Sequence, residues 1–376
     1  MKHKIHLVVI DAIAFNGGSK VATQSILRQL DSAKVSISIL TADKQAWTNP
    51  SMTKVPLYEL PFLANKEQGL AYFLRHFIIA INLLLLRVRL GHIDITVGAS
   101  GPGVDLAMYM LKPLLKTRIV QFIHGPVATS RTICRCLNHA EQVYYLHSTR
   151  ASLQKALQIF TPLSTTLPAH FFLFENGLCD QSWPTRCQTH SPVIFWAASL
   201  LKWKGLDLFV EALTGIDAMQ RPLTHICYIK PQSTILALSD APVPLTNVHW
   251  YESPSNLDEV RARANIFVSS SDNEPFGLSI LEAMAAAMCV LIPDDGAYWD
   301  NLLENKVNCI KYRAGDSHDL QQKLLMLSND LPLLTKVGLH ASKLALNYRA
   351  STQYQFIKNN IEKLCLEITV PHLVNG

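Results

Sequence analysis

The chain alternates short, uninterrupted apolar runs with segments of helical periodicity. In its first half, apolar runs typical of buried parallel strands cover residues 5–10, 35–40, 93–97, 118–124, 142–146 and 171–175. Helical spacing of apolar residues covers residues 21–30, 71–90 and 151–159. Because strands that alternate with helices favour parallel sheets, this half predicts one doubly wound α/β domain.

A second alternation of the same kind follows a polar, proline-punctuated stretch, residues 182–192, which we interpret as a linker. Strand-like runs cover residues 193–198, 225–229, 248–251, 266–269 and 290–292, and helical spacing covers 205–213, 256–264, 320–327, 331–346 and 352–366. The pattern predicts a first domain over residues 1–185, a second over 192–350, and a terminal helix within 351–376.

Length and composition agree with two folded domains. The chain has 376 residues, of which 49% are hydrophobic and 17% charged, so it can bury more than one core and is not disordered. No uncharged apolar run reaches about 18 residues, so no membrane-spanning helix is predicted. The first apolar run stops at Asp11 without a small-residue cleavage site, which favours a buried strand over a signal peptide. The eight cysteines lack the spacing of a disulfide framework, which indicates reduced thiols and a cytoplasmic protein.

Charge is distributed unevenly along the chain. Residues 1–185 contain 18 Lys and Arg against 10 Asp and Glu, a net charge of +8, whereas the remaining residues carry a net −3. We therefore expect the first half to face an anionic partner, such as a membrane surface or a phosphate-bearing substrate.

Two carboxylates eight positions apart, Glu274 and Glu282, are the strongest candidates for chemistry. An apolar run and a polar turn precede Glu274, and Glu282 falls in the first turns of the next helical segment. The edge where parallel strands end is where open α/β sheets bind ligands. The alternative is a solvated helix face, but Pro275 and Gly277 interrupt the helix between the two residues. A carboxylate on an otherwise apolar helix needs partners, and a ligand rich in hydroxyl groups supplies donors.

Residues 269–285 resemble the E-x7-E signature of glycosyltransferase family 4, as in bacterial polysaccharide-type glycosyltransferases. These are retaining enzymes with the GT-B fold, in which two doubly wound Rossmann-like domains face a central cleft. The resemblance implies that Glu274 contacts hydroxyls of a donor sugar and that Glu282 binds the nucleotide ribose. It also implies that backbone amides near Phe276, Gly277 and Leu278 meet the sugar or the diphosphate, and that the terminal helix crosses back to the first domain.

A second candidate segment follows the first strand of the second domain. The family has the pattern G-R-L-x-x-x-K-G here, with both cations on the donor diphosphate. Lys204 and Gly205 match it, but Ser199 stands where the arginine is expected, and a hydroxyl brings no charge. The resemblance thus makes Lys204 the main cation, with Lys202 as a possible helper. From spacing alone, both lysines could equally belong to a solvated turn.

Two candidates lie in the first domain. The segment of residues 16–19 contains Gly17 and Gly18, which permit a close approach of backbone to a phosphate or sugar, although a plain tight turn is the alternative. It is not a dinucleotide fingerprint. His124 follows an apolar run and precedes Gly125, and it matches the family histidine that lies against the donor sugar. A neutral imidazole there could donate to a sugar hydroxyl.

The resemblance implies a metal-independent hexosyltransferase that uses no cofactor and moves a sugar from a nucleotide-diphosphate-sugar to a saccharide or lipid-linked acceptor, in the biosynthesis of surface polysaccharide or glycoconjugate. A UDP-sugar is favoured over a GDP-sugar as the donor. No nucleic-acid partner is expected, because basic residues are not interleaved with aromatic residues. Peripheral contact with the inner face of the plasma membrane would involve the basic first half and residues 70–90, for which a buried core helix is the alternative. Two alternatives remain open: a nucleotide-sugar epimerase of the same fold, and a catalytically silent binding partner, which Ser199 favours.

Overall fold

The computed structural model describes residues 4–14, 17–43, 45–64, 66, 68–162, 166–231, 234 and 236–374. The chain forms two compact units: unit 1 consists of Met1–Gly177 and Gln353–Gly376, and unit 2 consists of Leu178–Thr352. The division lies at residue 177, whereas the sequence pattern suggested residue 185.

Unit 1 is built on a seven-stranded sheet in which every pairing is parallel, in the order β3-β2-β1-β4-β5-β6-β7. Its strands are β1 Ile5–Asp11, β2 Val35–Thr41, β3 Thr53–Pro56, β4 Ile95–Gly98, β5 Arg118–Ile123, β6 Gln142–Tyr145 and β7 Phe171–Leu173. Its first five helices are α1 Gly18–Leu27, α2 Gly69–Leu90, α3 Leu106–Leu115, α4 Arg131–His139 and α5 Arg150–Leu157. The central strand β1 is fully buried from Leu7 to Ile10, which explains its uninterrupted apolar sequence.

Unit 2 is built on a six-stranded parallel sheet in the order β10-β9-β8-β11-β12-β13. Its strands are β8 Val193–Ser199, β9 Leu223–Ile229, β10 Val248–Glu252, β11 Ile266–Val268, β12 Cys289–Asp294 and β13 Ile310–Arg313. Its helices are α6 Leu206–Thr214, α7 Leu257–Ala262, α8 Leu278–Ala285, α9 Tyr298–Leu302, α10 Ser317–Asn329 and α11 Leu331–Ala345, and the short α12 Ala350–Gln353 crosses its boundary. The last helix, α13 Gln355–Val374, belongs to unit 1; it begins three residues later than predicted and extends further.

The two sheets confirm the predicted fold class, since each is parallel and carries helices in its connections. In both orders the first strand of the unit lies inside the sheet, with strands added on either side. This arrangement creates a crevice beyond the carboxyl ends of neighbouring central strands, β1 and β4 in unit 1 and β8 and β11 in unit 2. The loops that leave those strand ends are therefore where each unit can bind a ligand.

The segment interpreted as a linker is anchored along unit 2. The amide of Cys187 donates to the carbonyl of Ala286 (2.8 Å), and the amide of Gln188 donates to the carbonyl of Ala262 (2.8 Å). Its polar composition therefore reflects a surface strap rather than a free connection, because its backbone groups find partners on the two helices it crosses.

Helix α2, Gly69–Leu90, lies where helical spacing was predicted, over residues 71–90. By length and composition alone it could cross a membrane, a property that the apolar pattern did not indicate. However, 39% of its most apolar stretch is buried within the protein, and core helices of soluble proteins pass the same test. Ile79 and Leu83 are fully buried, so one face of the helix belongs to the core of unit 1.

Candidate functional site

The turn between β8 and α6 places Lys204 at the end of the central strand of unit 2. Gly205 ends this turn with φ +72°, and a Cβ atom there would lie 1.8 Å from the carbonyl oxygen of Ser270. Only glycine fits so close an approach. The Ser270 hydroxyl accepts from the indole Nε1 of Trp196 (3.0 Å) and donates to the carbonyl of Lys204 (3.1 Å). The turn is thus locked against the loop that carries Glu274.

Lys204 and Glu274 meet although 70 positions separate them. Lys204 Nζ lies 2.6 Å from Glu274 Oε2, and the two side chains are only 19% and 14% exposed. The same ammonium group lies 4.0 Å from the ring centroid of Trp203, a cation–π contact. The structure therefore brings together the cation and the carboxylate that the sequence singled out from two different loops.

The start of α8 presents backbone donors beside this ion pair. Gly277 precedes the helix with φ +78°, and its carbonyl accepts from the amides of Ile280 (3.1 Å) and Leu281 (3.2 Å). Among the described residues, no acceptor is recorded for the amides of Leu278 and Ser279. Amides at the first turn of a helix, together with the helix dipole, form a natural anion site.

Phe276 has a structural role that the sequence did not indicate. Its ring is 3% exposed and packs against Tyr298 (centroids 4.9 Å apart) and Trp299 (5.2 Å). The indole of Trp299 also donates to the carbonyl of Gly277 (3.3 Å). The buried Phe276 side chain thus supports the loop that carries Glu274. Only the backbone of Phe276 could meet a ligand.

Glu282 lies in the second turn of α8 and is held by an arginine. Glu282 Oε2 accepts from Arg261 Nη1 at 2.7 Å, and its side chain is 27% exposed. Glu274 pairs with Lys204 instead, so the two carboxylates have separate partners. Sequence reasoning missed Arg261, since no pattern around α7 distinguishes a buried arginine from a surface one.

Ser199 and Lys202 contribute less than their positions suggested. Ser199 ends β8 and is partly buried, and its hydroxyl has no recorded partner in the described part of the chain. Lys202 points to Asp207 at 3.5 Å, and both side chains are largely exposed. Lys204 is therefore the cation that the structure brings to Glu274.

In unit 1, Gly17 precedes α1 and Gly18 begins it, while Asn16 of the same segment lies outside the described residues. Sequence reasoning missed a buried ion pair between the last residue of β1 and the first turn of α1. Lys20 Nζ lies 3.0 Å from Asp11 Oδ2 and donates to the carbonyl of Ile13 at 2.6 Å. An aspartate directly after a buried strand was the available signal, because a carboxylate there must find a partner.

His124 follows β5 and is enclosed by α1 and aromatic rings. Its Nε2 lies 3.3 Å from the Thr23 hydroxyl, and its ring makes an edge contact with Phe174 (5.6 Å). Burial lowers the pKa of His124 to about 4, so the imidazole is neutral at physiological pH. Its Nδ1 is buried without a partner among the described residues, which is uncommon for a polar atom inside a protein.

No cluster of three or more His, Cys, Asp or Glu that could hold a metal ion occurs within the described part of the chain. The arrangement in unit 2 can instead hold an anion with Lys204 and the α8 amides, and can present two carboxylates to hydroxyl groups. These are the contacts that a sugar joined to a nucleoside diphosphate requires.

Comparisons with known proteins agree with this chemistry. Residues 180–343 match the family model "Glycosyl transferases group 1". No curated protein sequence matches the chain.

Solved structures of the same fold cover nearly the whole chain. The Anabaena protein Alr3699/HepE, in complex with UDP-glucose, has a TM-score of 0.71 and 15% identity, with 96% of this chain and 100% of that chain covered. Sucrose-phosphate synthase from Thermosynechococcus elongatus has a TM-score of 0.69 and 13% identity, with 96% and 99% covered. WaaG, a glycosyltransferase involved in lipopolysaccharide biosynthesis, has a TM-score of 0.67 and 13% identity, with 95% and 99% covered. The chain therefore has the GT-B fold, and its residues 180–343 match the group 1 glycosyl transferases.

Proposed function

We propose that this protein is a retaining glycosyltransferase that moves a hexosyl group from a nucleotide-diphosphate-sugar to a saccharide or lipid-linked acceptor. The observation that carries the proposal is the Lys204–Glu274 pair beside the first turn of α8, because it combines a cation, helix-start amides and a carboxylate at one strand edge. The match of residues 180–343 to the group 1 glycosyl transferases supports it.

In this proposal each group has one task. Lys204 and the amides of Leu278 and Ser279 stabilise the diphosphate as it leaves, so that no metal is needed. Glu274 accepts hydrogen bonds from the donor sugar, and Glu282 accepts from the ribose. In unit 1, neutral His124 donates to a sugar hydroxyl, and the turn at Gly17 and Gly18 lets backbone approach the substrates.

The chemical step breaks the bond between the anomeric carbon and the diphosphate oxygen. The acceptor oxygen forms its bond on the same face of the sugar, so the anomeric configuration is retained. The acceptor proton passes to the departing phosphate oxygen, and Glu274 therefore acts by position and charge rather than as a nucleophile. Enclosing the donor would exclude water and prevent its hydrolysis.

The donor in this proposal is a UDP-sugar. Its support is that Alr3699/HepE, a protein of the same fold, is solved with UDP and with UDP-glucose. At 15% identity the likeness shows the fold alone, so the base must be tested directly.

A thermal-shift screen against UDP, GDP and ADP, followed by transfer assays with NMR of the anomeric proton, tests the function. We expect UDP to raise the melting temperature and transfer to proceed with retention. Lys204→Met should abolish the UDP shift, whereas Lys202→Met serves as the matched control and should retain it. If no nucleoside diphosphate binds, the enzyme proposal fails. Nucleotide binding without turnover would instead favour a silent binding partner, which the uncharged Ser199 also favours.

We also propose that unit 1 contacts the inner face of the plasma membrane through α2, which makes the protein cytoplasmic and peripheral. Exposed apolar side chains recur at helical spacing along one face of α2: Leu70, Leu74, Phe77, Ile81, Leu85 and Val88. At about 100° per residue, Arg87 and Arg89 lie on opposite edges of this stripe, and α2 contains no acidic residue. Such a face suits an anionic bilayer.

Co-sedimentation with vesicles of phosphatidylglycerol and phosphatidylcholine tests this contact. Phe77→Glu combined with Leu85→Glu should release the protein from the vesicles without lowering its melting temperature, because both side chains are exposed (56% and 64%). Met219→Glu, on the surface of unit 2 (94% exposed), is the control and should leave binding intact. Equal binding of all three proteins would remove α2 from the membrane contact.

A further inference from the structure

Arg261 lies buried between two carboxylates in unit 2. It is 6% exposed, its Nη1 donates to Glu282 Oε2 (2.7 Å), and its Nη2 donates to Asp258 Oδ1 (2.6 Å). Its third nitrogen, Nε, is buried without a recorded partner in the described structure. The two terminal nitrogens of the guanidinium thus donate to carboxylates on two different helices, α8 and α7.

Asp258 anchors the far end of this network. Its carboxylate accepts from the Thr185 amide at 3.1 and 3.2 Å and from the Thr185 hydroxyl at 2.5 Å. Although burial raises the pKa of Asp258, the hydrogen bonds from Thr185 and Arg261 hold it below its usual range. Asp258 is therefore ionised at neutral pH and fixes one side of the guanidinium.

The cost of this arrangement argues against a purely structural role for Arg261. A buried cation with an unpartnered N–H loses hydration, and carboxylates that are themselves 27% and 45% exposed compensate for that loss only in part. The neighbours of Glu282 on α8 are apolar and buried, including Leu281, Ala283 and Met284. A pair of apolar side chains would thus have suited the packing. The fixed orientation of the Glu282 carboxylate instead suits the binding of a ligand.

The two carboxylate oxygens of Glu282 differ in their partners. In the described structure, the recorded bond of Glu282 engages Oε2, and the side chain keeps 27% exposure. Because Arg261 holds Oε2 on the protein side, Oε1 is left for a donor outside the protein. A free glutamate has three rotatable side-chain bonds, so fixing it in advance reduces the entropy lost when a ligand binds.

We propose that Arg261 is the positioning residue that sets the preference of this site for a ribose over a deoxyribose, by presenting Glu282 Oε1 to the ribose hydroxyls. The inference rests on the proposed function, in which Glu282 binds the ribose. Lysine is a poor replacement for Arg261, because its ammonium has one nitrogen on a flexible stem, whereas the planar guanidinium holds two separate nitrogens against the two carboxylates.

Calorimetric titration with UDP and with 2′,3′-dideoxy-UDP tests the proposal. We expect the wild-type protein to bind UDP at least about tenfold more tightly than the dideoxy analogue, since hydrogen bonds to a carboxylate are lost. Arg261→Met should weaken UDP about tenfold and leave the dideoxy analogue unchanged, so that the discrimination disappears. Arg261→Lys should restore little of it. Arg263→Met, at an exposed neighbour, is the matched control and should keep full discrimination.

The outcomes separate the inference from the function beneath it. Equal weakening of both nucleotides by Arg261→Met would show that Arg261 only supports the fold, and full discrimination in that variant would also overturn the proposal. Wild-type protein that binds none of UDP, GDP and ADP would overturn the proposed function instead. If Arg261→Met does not fold, Asp258→Asn provides the test. This variant weakens one hydrogen bond of the same guanidinium, at a half-exposed position, and must reduce the ratio of the affinities for UDP and for 2′,3′-dideoxy-UDP.

Discussion

Replacing Glu274 by Gln should tighten the binding of free UDP while weakening sugar transfer. In the structure the carboxylate of Glu274 holds the ammonium of Lys204 at 2.6 Å, so a diphosphate must take Lys204 away from this partner. Glutamine keeps the size of the side chain and an acceptor oxygen but removes the charge. UDP lacks the sugar that is transferred, and therefore loses no contact with Glu274.

The size of the effect follows from the charge that the substitution removes from the ion pair. An ion pair between partly exposed side chains contributes about 0.2–1 kcal/mol, so its loss should tighten UDP binding by at most about 1 kcal/mol, or about fivefold. Both side chains keep some exposure, 19% and 14%, so screening by solvent favours the lower end. In transfer, by contrast, Glu274→Gln loses charged bonds to the sugar, and kcat/KM should fall roughly ten- to hundredfold.

Calorimetric titration with UDP and a transfer assay with the UDP-sugar measure both effects on the same protein. Asp207→Asn is the matched control, because it removes the same charge from the exposed Lys202 pair and reports any general electrostatic effect. UDP binding that is no tighter in Glu274→Gln than in Asp207→Asn would refute the exchange of partners at Lys204. Unchanged transfer would refute the assignment of Glu274 to the donor sugar.

Two further predictions concern stability, measured by urea denaturation. Gly205→Ala should lower the free energy of unfolding by at least about 3 kcal/mol, because its Cβ would lie 1.8 Å from the Ser270 carbonyl oxygen. Gly296→Ala, with a similar φ of +74° but open space around it, should lower it by only about 1 kcal/mol. Equal losses in the two variants would remove the steric explanation. Burial raises the pKa of Asp105 from 3.8 to about 7, so the folded protein binds this proton more tightly, and the stabilisation, present below pH 4, is lost as the pH rises through 7. The free energy of unfolding of the wild-type protein should therefore fall by an amount on the order of 4 kcal/mol between pH 4 and pH 8, and Asp105→Asn should not show this fall. An unchanged pH profile in the variant would contradict this assignment.

The sequence pattern predicted much of the fold because parallel strands have a simple signature. Buried on both faces, they appear as continuous apolar runs, and the predicted strands of both units are present. Strand β3 was missed, since Thr53–Pro56 is an edge strand with exposed residues and no apolar run. The predicted domain division lies after the boundary between the two compact units, because polar residues along the surface strap are indistinguishable from a linker in sequence.

The candidate site divides in the same way. Motif spacing placed Glu274 at a strand end and Glu282 on the following helix, as the structure shows, because both depend on local order along the chain. Their assignment to donor sugar and ribose stays a prediction. Spacing could not indicate that the Phe276 ring is buried or that Arg261 approaches Glu282, since both depend on packing between elements distant in sequence.

The sequence by itself determined the class of fold, the order of its elements and the loops where chemistry can occur, because hydrophobic periodicity and glycine placement act over a few residues. Only the tertiary structure decided which charges meet: Lys204 with Glu274, Arg261 with Glu282, and Lys20 with Asp11. Burial and charge pairing depend on how elements that are distant in sequence pack together, and no local pattern along the chain indicates that packing.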